Sequence, residues 1–186
     1  AAGMKEEDFV EKFYVTSTHD YLLFFTDKGQ VYWLKVYQLP EGSRQAKGKH
    51  LANLLELKEG ENVSAIIPVR DFKEGYLFFA TKMGTVKKTE LLNFSKPRKG
   101  GIRAISLDEN DSLVGVKYTD GDQEIILATK GGLANRFREK DVRSMGRTAR
   151  GVRGVRLREG DKVIGMLAAE EGKEISYEDR KHWEYF

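Results

Sequence analysis

Three stretches of the sequence can be aligned on one another: YLLFFTDKGQV (21–31), YLFFATKMGTV (76–86) and EIILATKGGLA (124–134). Each consists of an apolar run, a polar turn that contains a glycine, and a second run that resumes the first. A strand, a tight turn and a second strand produce this pattern, because glycine adopts the positive φ that such turns often require. The sequence therefore predicts three β-hairpins.

A second motif follows each predicted hairpin: LKEGENVSA (57–65), LDENDSLVG (107–115) and LREGDKVIG (157–165). Its three copies start fifty residues apart. A repeat of this length with three or four short strands has the size of one blade of a propeller-type fold. No segment has the long 3.6-residue apolar period of a helix, and only KTELLNFS (88–95) and EKDVRSM (139–145) are candidates for helical turns. We therefore expect an all-β fold.

The repeats also predict the domain organisation. Blade-like units are expected at about 8–68, 69–117 and 118–167 within one domain that spans 1–186. Residues 168–186 begin like a further unit and then lose the pattern, so they are either its start or a divergent tail. Three units hardly close a wheel, and we expect the chain to be part of a larger one.

The composition excludes several classes of protein. The 186 residues include no cysteine, which rules out disulfides, thiolate metal sites and cysteine nucleophiles. No apolar run reaches the roughly 18 residues of a membrane helix, and the first residues do not resemble a signal peptide, so an intracellular protein is expected. Walker, dinucleotide-binding and nucleophile-elbow motifs are absent, and the three histidines are widely separated. We expect no catalytic residue, cofactor or metal in this chain.

The basic residues are concentrated in three glycine-containing loops, one in each repeat. The loops are SRQAKGKH (43–50), SKPRKGGIR (95–103) and RSMGRTARGVRGVRLR (143–158), and they hold thirteen lysines and arginines with no carboxylate. Because the net charge of the chain is +3, all other residues together sum to −10. One such loop would merely solvate the fold, but three at the same phase of a repeat predict a curved positive track. Duplex DNA is the natural partner, since each neutralised phosphate releases counterions.

The sequence contains no helix-turn-helix, zinc finger or RNP motif, and the loops hold few aromatic residues. DNA is therefore expected to be bound through its phosphates and shape, without sequence preference. The predicted DNA-binding residues are Arg44, Lys47, Lys49, Lys96, Arg98, Lys99, Arg103, Arg143, Arg147, Arg150, Arg153 and Arg156. The alternative from another class is a propeller-type scaffold that docks an acidic protein.

Six further basic residues are candidates for additional contacts. Five of them follow the predicted hairpin turns and either widen the track or simply occupy outward strand positions. The sixth, His50, ends the first loop and is either a phosphate contact or an ordinary surface histidine. The six residues are Lys35, His50, Lys87, Lys88, Arg136 and Arg138.

Long segments of the sequence closely resemble the C-terminal domain of the A subunit of bacterial DNA gyrase, a type IIA topoisomerase. They are VYWLKVYQLPEGSRQAKGKHLANLLELKEGENVSAIIPV (31–69), FATKMGTVKKTELLNF (79–94) and FREKDVRSMGRTARGVRGVRLREGDKVIGM (137–166). The similarity runs from about Lys5 to Met166. It implies a β-pinwheel, a propeller-like disc of six four-stranded blades that exchange strands with their neighbours. It also implies a non-catalytic domain that wraps duplex DNA around its rim and so supports ATP-dependent negative supercoiling.

The same resemblance implies the partners of the chain. The catalytic tyrosine, and the ATP and Mg²⁺ that the enzyme uses, would lie elsewhere in a heterotetramer of A and B subunits. That enzyme acts in the bacterial cytoplasm on the nucleoid, without membrane contact. The resemblance assigns contacts with DNA to Arg44, Lys47, Lys49, Lys96, Arg98, Lys99, Arg147, Arg150 and Arg153.

One motif of the family would lie upstream of Ala1, namely a seven-residue box rich in arginine and glycine. The last ten or so residues also differ from the expected fourth blade. The A subunit of topoisomerase IV carries similar blades without a standard box. It is therefore the alternative within the family.

Overall fold

The computed structural model describes residues 21–35 and 53–170, which form eleven β-strands and two short 3₁₀ helices. The strands are β1 Tyr21–Thr26, β2 Gln30–Lys35, β3 Val63–Val69, β4 Tyr76–Thr81, β5 Thr85–Glu90, β6 Ile102–Arg103, β7 Leu113–Thr119, β8 Gln123–Thr129, β9 Ala134–Arg138, β10 Val152–Arg153 and β11 Val163–Glu170. The 3₁₀ helices, Leu91–Phe94 and Glu139–Asp141, lie in the two segments predicted to form helical turns. In the described part of the chain, no helix is long and apolar enough to span a membrane.

The strands form three antiparallel sheets, in the orders β3-β1-β2-β6, β10-β5-β4-β7 and β11-β8-β9. Each sheet is built on one of the predicted hairpins, because β1 pairs with β2, β4 with β5 and β8 with β9. We call the second sequence motif (57–65, 107–115 and 157–165) the acidic motif. The strand that begins within each copy returns to the first strand of its own hairpin, so that β3 joins β1, β7 joins β4 and β11 joins β8. The predicted all-β fold is confirmed.

The fourth strand of two sheets comes from the following repeat. Strand β6 belongs to the second basic loop and pairs with β2 of the first sheet. Strand β10 belongs to the third basic loop and pairs with β5 of the second sheet. The exchange of strands that the resemblance implies is therefore present twice. Within residues 21–35 and 53–170, the outer edge of β9 receives no such strand.

The three hairpin turns share one set of hydrogen bonds. Each turn begins with a buried threonine whose carbonyl accepts the amide of a glycine three residues later. The threonine hydroxyl accepts the amide of the residue after that glycine. The glycines have φ between +80° and +91°, where an L side chain is strained. The pairs are Thr26 and Gly29, Thr81 and Gly84, and Thr129 and Gly132.

In the second and third repeats, the acidic motif is hydrogen-bonded to the hairpin turn of its own repeat. Asp161 accepts the amides of Gly131 at 2.7 Å and Lys162 at 2.8 Å, and Asp111 makes the equivalent pair of bonds in the second repeat. The residue before this acid has φ between +64° and +78° in all three repeats, which explains why the motif has glycine or asparagine there. The repeated carboxylates are therefore part of the turn structure.

Alternating side chains of the hairpin strands stack the three sheets face to face. Phe25 on β1 and Phe79 on β4 lie in one core between the first and second sheets, with their rings edge-to-face and centroids 5.5 Å apart. Phe78 points to the opposite face and joins a second core between the second and third sheets. Its ring centroid lies 6.1 Å from that of Phe137. The two-residue period of the strands thus supplies apolar side chains to both faces of the middle sheet.

The turn glycines differ in what surrounds them. A Cβ on Gly29 would lie 2.7 Å from the carbonyl oxygen of Ile105, just beyond the second basic loop. Gly132 has nearly the same φ, but no described heavy atom lies within 4 Å of the position of its Cβ. A substitution at Gly132 therefore tests backbone strain alone, whereas one at Gly29 tests backbone strain together with the contact between repeats.

We expect Gly132→Ala to lower the free energy of unfolding by about 1–2 kcal/mol, from the left-handed backbone alone. Gly29→Ala should cost about 1–3 kcal/mol more, because the loop at Ile105 must move away from the new methyl group. Urea unfolding of both variants of the full chain measures the difference. Equal losses would show that the second basic loop is not held at this turn.

Candidate nucleic-acid interface

The second basic loop runs along the outer edge of the first sheet, antiparallel to β2. Near its start, the indole N–H of Trp33 donates a hydrogen bond to the carbonyl of Phe94 at 2.9 Å. Farther along, Gly101 lies so close to the ring of Tyr32 that a Cβ would come within 2.6 Å of it. The loop then pairs as β6. Its backbone therefore covers the edge of the sheet, and Lys96, Arg98, Lys99 and Arg103 are left exposed.

The third basic loop follows the edge of the second sheet in the same way. The amide of Met145 donates to the carbonyl of Lys88 at 2.7 Å, and the amide of Gly154 donates to the carbonyl of Gly84 at 2.8 Å. Gly151 leaves no room for a Cβ against β5. Gly101, Gly151 and Gly154 of the two loops thus pack against the protein's own sheets.

The third loop contacts the second loop and the segment that directly follows it. The amide of Ser106 donates to the carbonyl of Ala149 at 3.2 Å, and its hydroxyl donates to the carbonyl of Thr148 at 2.6 Å. The guanidinium of Arg147 donates to the carbonyl of Arg103. These contacts bring residues 96–103 and 143–156 together into one surface, which we call the basic ridge.

Nine of the predicted DNA-binding residues lie on the basic ridge. Arg147 is half-buried, and the other eight are exposed. Arg150 pairs with Asp108 at 2.6 Å, and Lys99 pairs with Glu56 at 3.7 Å. Both pairs are open to solvent, so a phosphate can compete for these cations at little cost. The candidates of the first loop, Arg44, Lys47, Lys49 and His50, lie outside the described residues.

Three of the further candidates stand on strands outside the basic ridge. Arg136 and Arg138 are exposed on β9, where Arg136 pairs with Glu124 and Arg138 with Asp141. Lys35 ends β2, and its ammonium lies 5.8 Å from the centroid of the Tyr21 ring. Each of these three cations therefore has a partner on its own or an adjacent strand or turn.

Lys87 and Lys88 are both buried on β5, so the expectation that they occupy outward strand positions is wrong. The ammonium of Lys88 donates to the carbonyl of Glu139 at 3.0 Å and lies 4.9 Å from the centroid of the Tyr76 ring. This lysine points toward the third sheet and contacts the 3₁₀ helix of the third repeat. A direct contact with phosphate is not available to either buried lysine.

Lys87 points the other way and has a position that sequence reasoning missed. Its ammonium donates to the carbonyls of Ala104 and Arg147, and it lies 4.6 Å from the centroid of the Phe79 ring. Burial, together with the nearby Arg147 guanidinium, lowers the pKa of Lys87 from 10.5 to about 7. The available signal was the repeat itself, because the aligned residue of the first repeat is Tyr32.

A groove of about 430 Å³ continues the basic ridge beside the third loop. Arg153, Arg156 and Arg158 line it together with apolar side chains such as Met83 and Val155, and the carboxylates of Glu159 and Asp161 lie at the same groove. In the described ranges, no cluster of three or more histidine, aspartate or glutamate side chains is arranged to hold a metal ion. The groove thus combines three guanidinium groups, two carboxylates and a partly apolar wall.

The repeats match known proteins over most of the chain. The family model "DNA gyrase C-terminal domain, beta-propeller" matches residues 20–70, 75–120 and 123–170. The A subunit of DNA gyrase from Salmonella typhimurium is 50% identical over 168 residues, and that from Escherichia coli K12 is 48% identical over 168 residues. Each alignment covers 90% of this chain and 19% of the relative. The chain therefore spans about a fifth of the length of these relatives.

Solved structures with the same architecture include the C-terminal domain of DNA topoisomerase IV, with a TM-score of 0.75 and 36% identity over 83% of this chain and 48% of that chain. The DNA gyrase A C-terminal domain gives a TM-score of 0.67 at 27% identity, over 82% of this chain and 49% of that one. Because one family model accounts for all three repeats, the chain belongs to the DNA gyrase C-terminal domain family of beta-propellers.

Proposed function

We propose that this chain is a non-catalytic domain that binds duplex DNA along the basic ridge and wraps it around the rim of the disc. The observation that carries the proposal is the contact between two basic loops from successive repeats, made at Arg147 with Arg103 and, just after the second loop, at Ser106 with Ala149. Two separate charged loops would hold a polyanion at two points. Two loops in contact offer it one uninterrupted surface.

The chemistry of the basic ridge favours a phosphate backbone over an acidic protein. The two loops that form it contain no carboxylate, and their cations are mostly arginines, which bind phosphate through two parallel hydrogen bonds. Contacts of this kind position DNA without reading its sequence. Because the loops lie on the edges of successive sheets, phosphates on one side of the duplex are neutralised, and the DNA bends toward the protein.

Family membership supports a role within a larger enzyme. We infer that the domain is part of the A subunit of DNA gyrase and wraps DNA for ATP-dependent negative supercoiling. The catalytic tyrosine and the ATPase of that enzyme would lie outside this chain. The enzyme would act in the bacterial cytoplasm. Sequence identity near 50% with the A subunit of gyrase supports this assignment. The likeness to the topoisomerase IV domain makes that paralogue the second candidate. Supercoil accumulation on relaxed plasmid by the complete enzyme with ATP favours gyrase, and relaxation alone favours topoisomerase IV.

Binding should depend strongly on salt. For about ten contacted phosphates, the slope of log K against log salt concentration is expected to be about −9. Fluorescence anisotropy of a labelled linear duplex, titrated with the full chain between low and moderate salt, measures this slope. Failure to bind at low salt would instead favour a scaffold for an acidic protein partner.

The double substitution Arg153→Ala/Arg156→Ala removes two exposed cations from the basic ridge. We expect the slope to become shallower by about 2 for every DNA sequence tested alike, since each lost phosphate contact contributes about 0.9. Lys58→Ala/Lys73→Ala is the matched control, because it removes two exposed charges from turns on either side of β3. Equal effects of the two double variants would mean that net charge, and not the basic ridge, governs binding.

Wrapping is tested separately from binding. Relaxed circular DNA is incubated with the full chain and a nicking-closing enzyme, and the linking number is read on a gel after the protein is removed. We expect a shift in linking number that grows with protein concentration and reverses at high salt. Retardation of linear duplex without any such shift would leave DNA binding in place and exclude wrapping.

A further inference from the structure

We propose that Lys87 is a positioning residue that joins the second and third basic loops from beneath and so fixes the shape of the basic ridge. This inference rests on the proposed function, since it assigns a role within the same surface. It concerns a side chain that cannot touch DNA itself, because Lys87 has no exposed surface.

The contacts of Lys87 place its ammonium at the junction of the loops. One accepting carbonyl, that of Ala104, directly follows β6 at the end of the second loop. The other, that of Arg147, lies within the third loop at 2.6 Å. The side chain of the same Arg147 donates to Arg103. The backbone carbonyl of Arg147 is thus bound by Lys87, while its guanidinium binds the second loop at Arg103.

An ammonium group suits this position better than an apolar side chain would. Two carbonyl oxygens converge on it from different repeats, and the face of the Phe79 ring supplies a third favourable contact. Hydrogen bonds from a charged donor are stronger than neutral ones. A methionine of similar shape would leave both carbonyls without this donor, and nothing else on β5 reaches them among the described contacts.

The charge state of Lys87 should make the affinity of the basic ridge for DNA depend on pH. The described charged group that faces it is the Arg147 guanidinium from the third loop, while β4 contributes the Phe79 ring and the segment after β6 contributes a carbonyl. A pKa of about 7 in the free protein means that Lys87 loses its proton near neutrality. Bound phosphates would raise this pKa, so DNA binding takes up a proton, and affinity falls as the pH rises above 7.

The first measurement needs no DNA. In hydrogen exchange of the full chain, Lys87→Met should speed exchange at the amide of Ser106, which bonds the third loop at Ala149, by about tenfold or more. The amide of Met145, which bonds the carbonyl of Lys88, should keep its wild-type rate. Lys88→Met is the matched control, because it also removes a buried ammonium but one that contacts Glu139 and neither loop junction. An unchanged Ser106 rate in Lys87→Met would overturn the proposal.

The second measurement uses a labelled linear duplex. We expect Lys87→Met to bind about tenfold more weakly than wild type near pH 7, with a smaller bend by energy transfer between the duplex ends and no fall in affinity between pH 7 and 9. Lys88→Met should retain both the bend and the pH dependence. If wild type fails to bind, the proposed function is wrong. If wild type binds and bends DNA and Lys87→Met does so equally well, only the role of Lys87 is excluded.

A second variant covers the case in which Lys87→Met does not fold. Lys87→Gln keeps an N–H₂ donor without the charge, so it should retain part of the bend while its affinity no longer changes between pH 7 and 9. A wild-type pH dependence in Lys87→Gln would contradict the assignment. An affinity of the wild-type chain that is constant across this range would do so without any variant.

Discussion

Hydrogen bonds to the carbonyl of the hairpin glycine hold one repeat to the next one. Gly29 accepts the amides of Ala104 and Ile105, and Gly84 accepts those of Gly154 and Val155. These bonds exist because the turn has no side chain to hold the incoming loop away. The two-residue strands β6 and β10, the covered sheet edges and the outward course of the basic loops all depend on this contact. Covering these edges also removes backbone groups on which another chain could pair.

Apolar and polar contacts have different roles between the sheets. Phe25 and Phe79 pack with aliphatic side chains in the core between the first and second sheets, and such apolar burial is non-directional. Buried polar groups add directional contacts. Within the first repeat, Glu61 accepts the hydroxyl of Tyr32, whose pKa is raised by burial and by this carboxylate, and the ring of Tyr32 packs against Gly101 of the second basic loop. Between the second and third sheets, Glu139 accepts the hydroxyl of Thr119, and its backbone carbonyl accepts the ammonium of Lys88.

The hairpins, the two helical turns and the charged loops could be predicted because their signals are local and repeated. Two-residue strands carry no periodicity of their own, so the family resemblance implied an exchange of strands between neighbouring blades but did not place β6 and β10. The inward position of Lys87 and Lys88 was missed because adjacent lysines normally mark a solvent-facing segment, whereas here both faces of β5 are covered. Contacts such as that of Arg150 with Asp108 join residues far apart in sequence. The DNA contacts of all three loops stay predictions.

Because strands are exchanged, one repeat of the sequence does not correspond to one sheet of the structure, since the last strand of a sheet comes from the following repeat. A single repeat cut out of the chain would keep its hairpin but lose the strand that covers its edge, and its own donated strand would have no recipient. A tandem duplication within the gene, in contrast, would create a recipient and a donor at the same time. The strand donated by each added copy would therefore already fit the sheet edge that receives it. Such a protein can lengthen by whole repeats without any new contact having to evolve first.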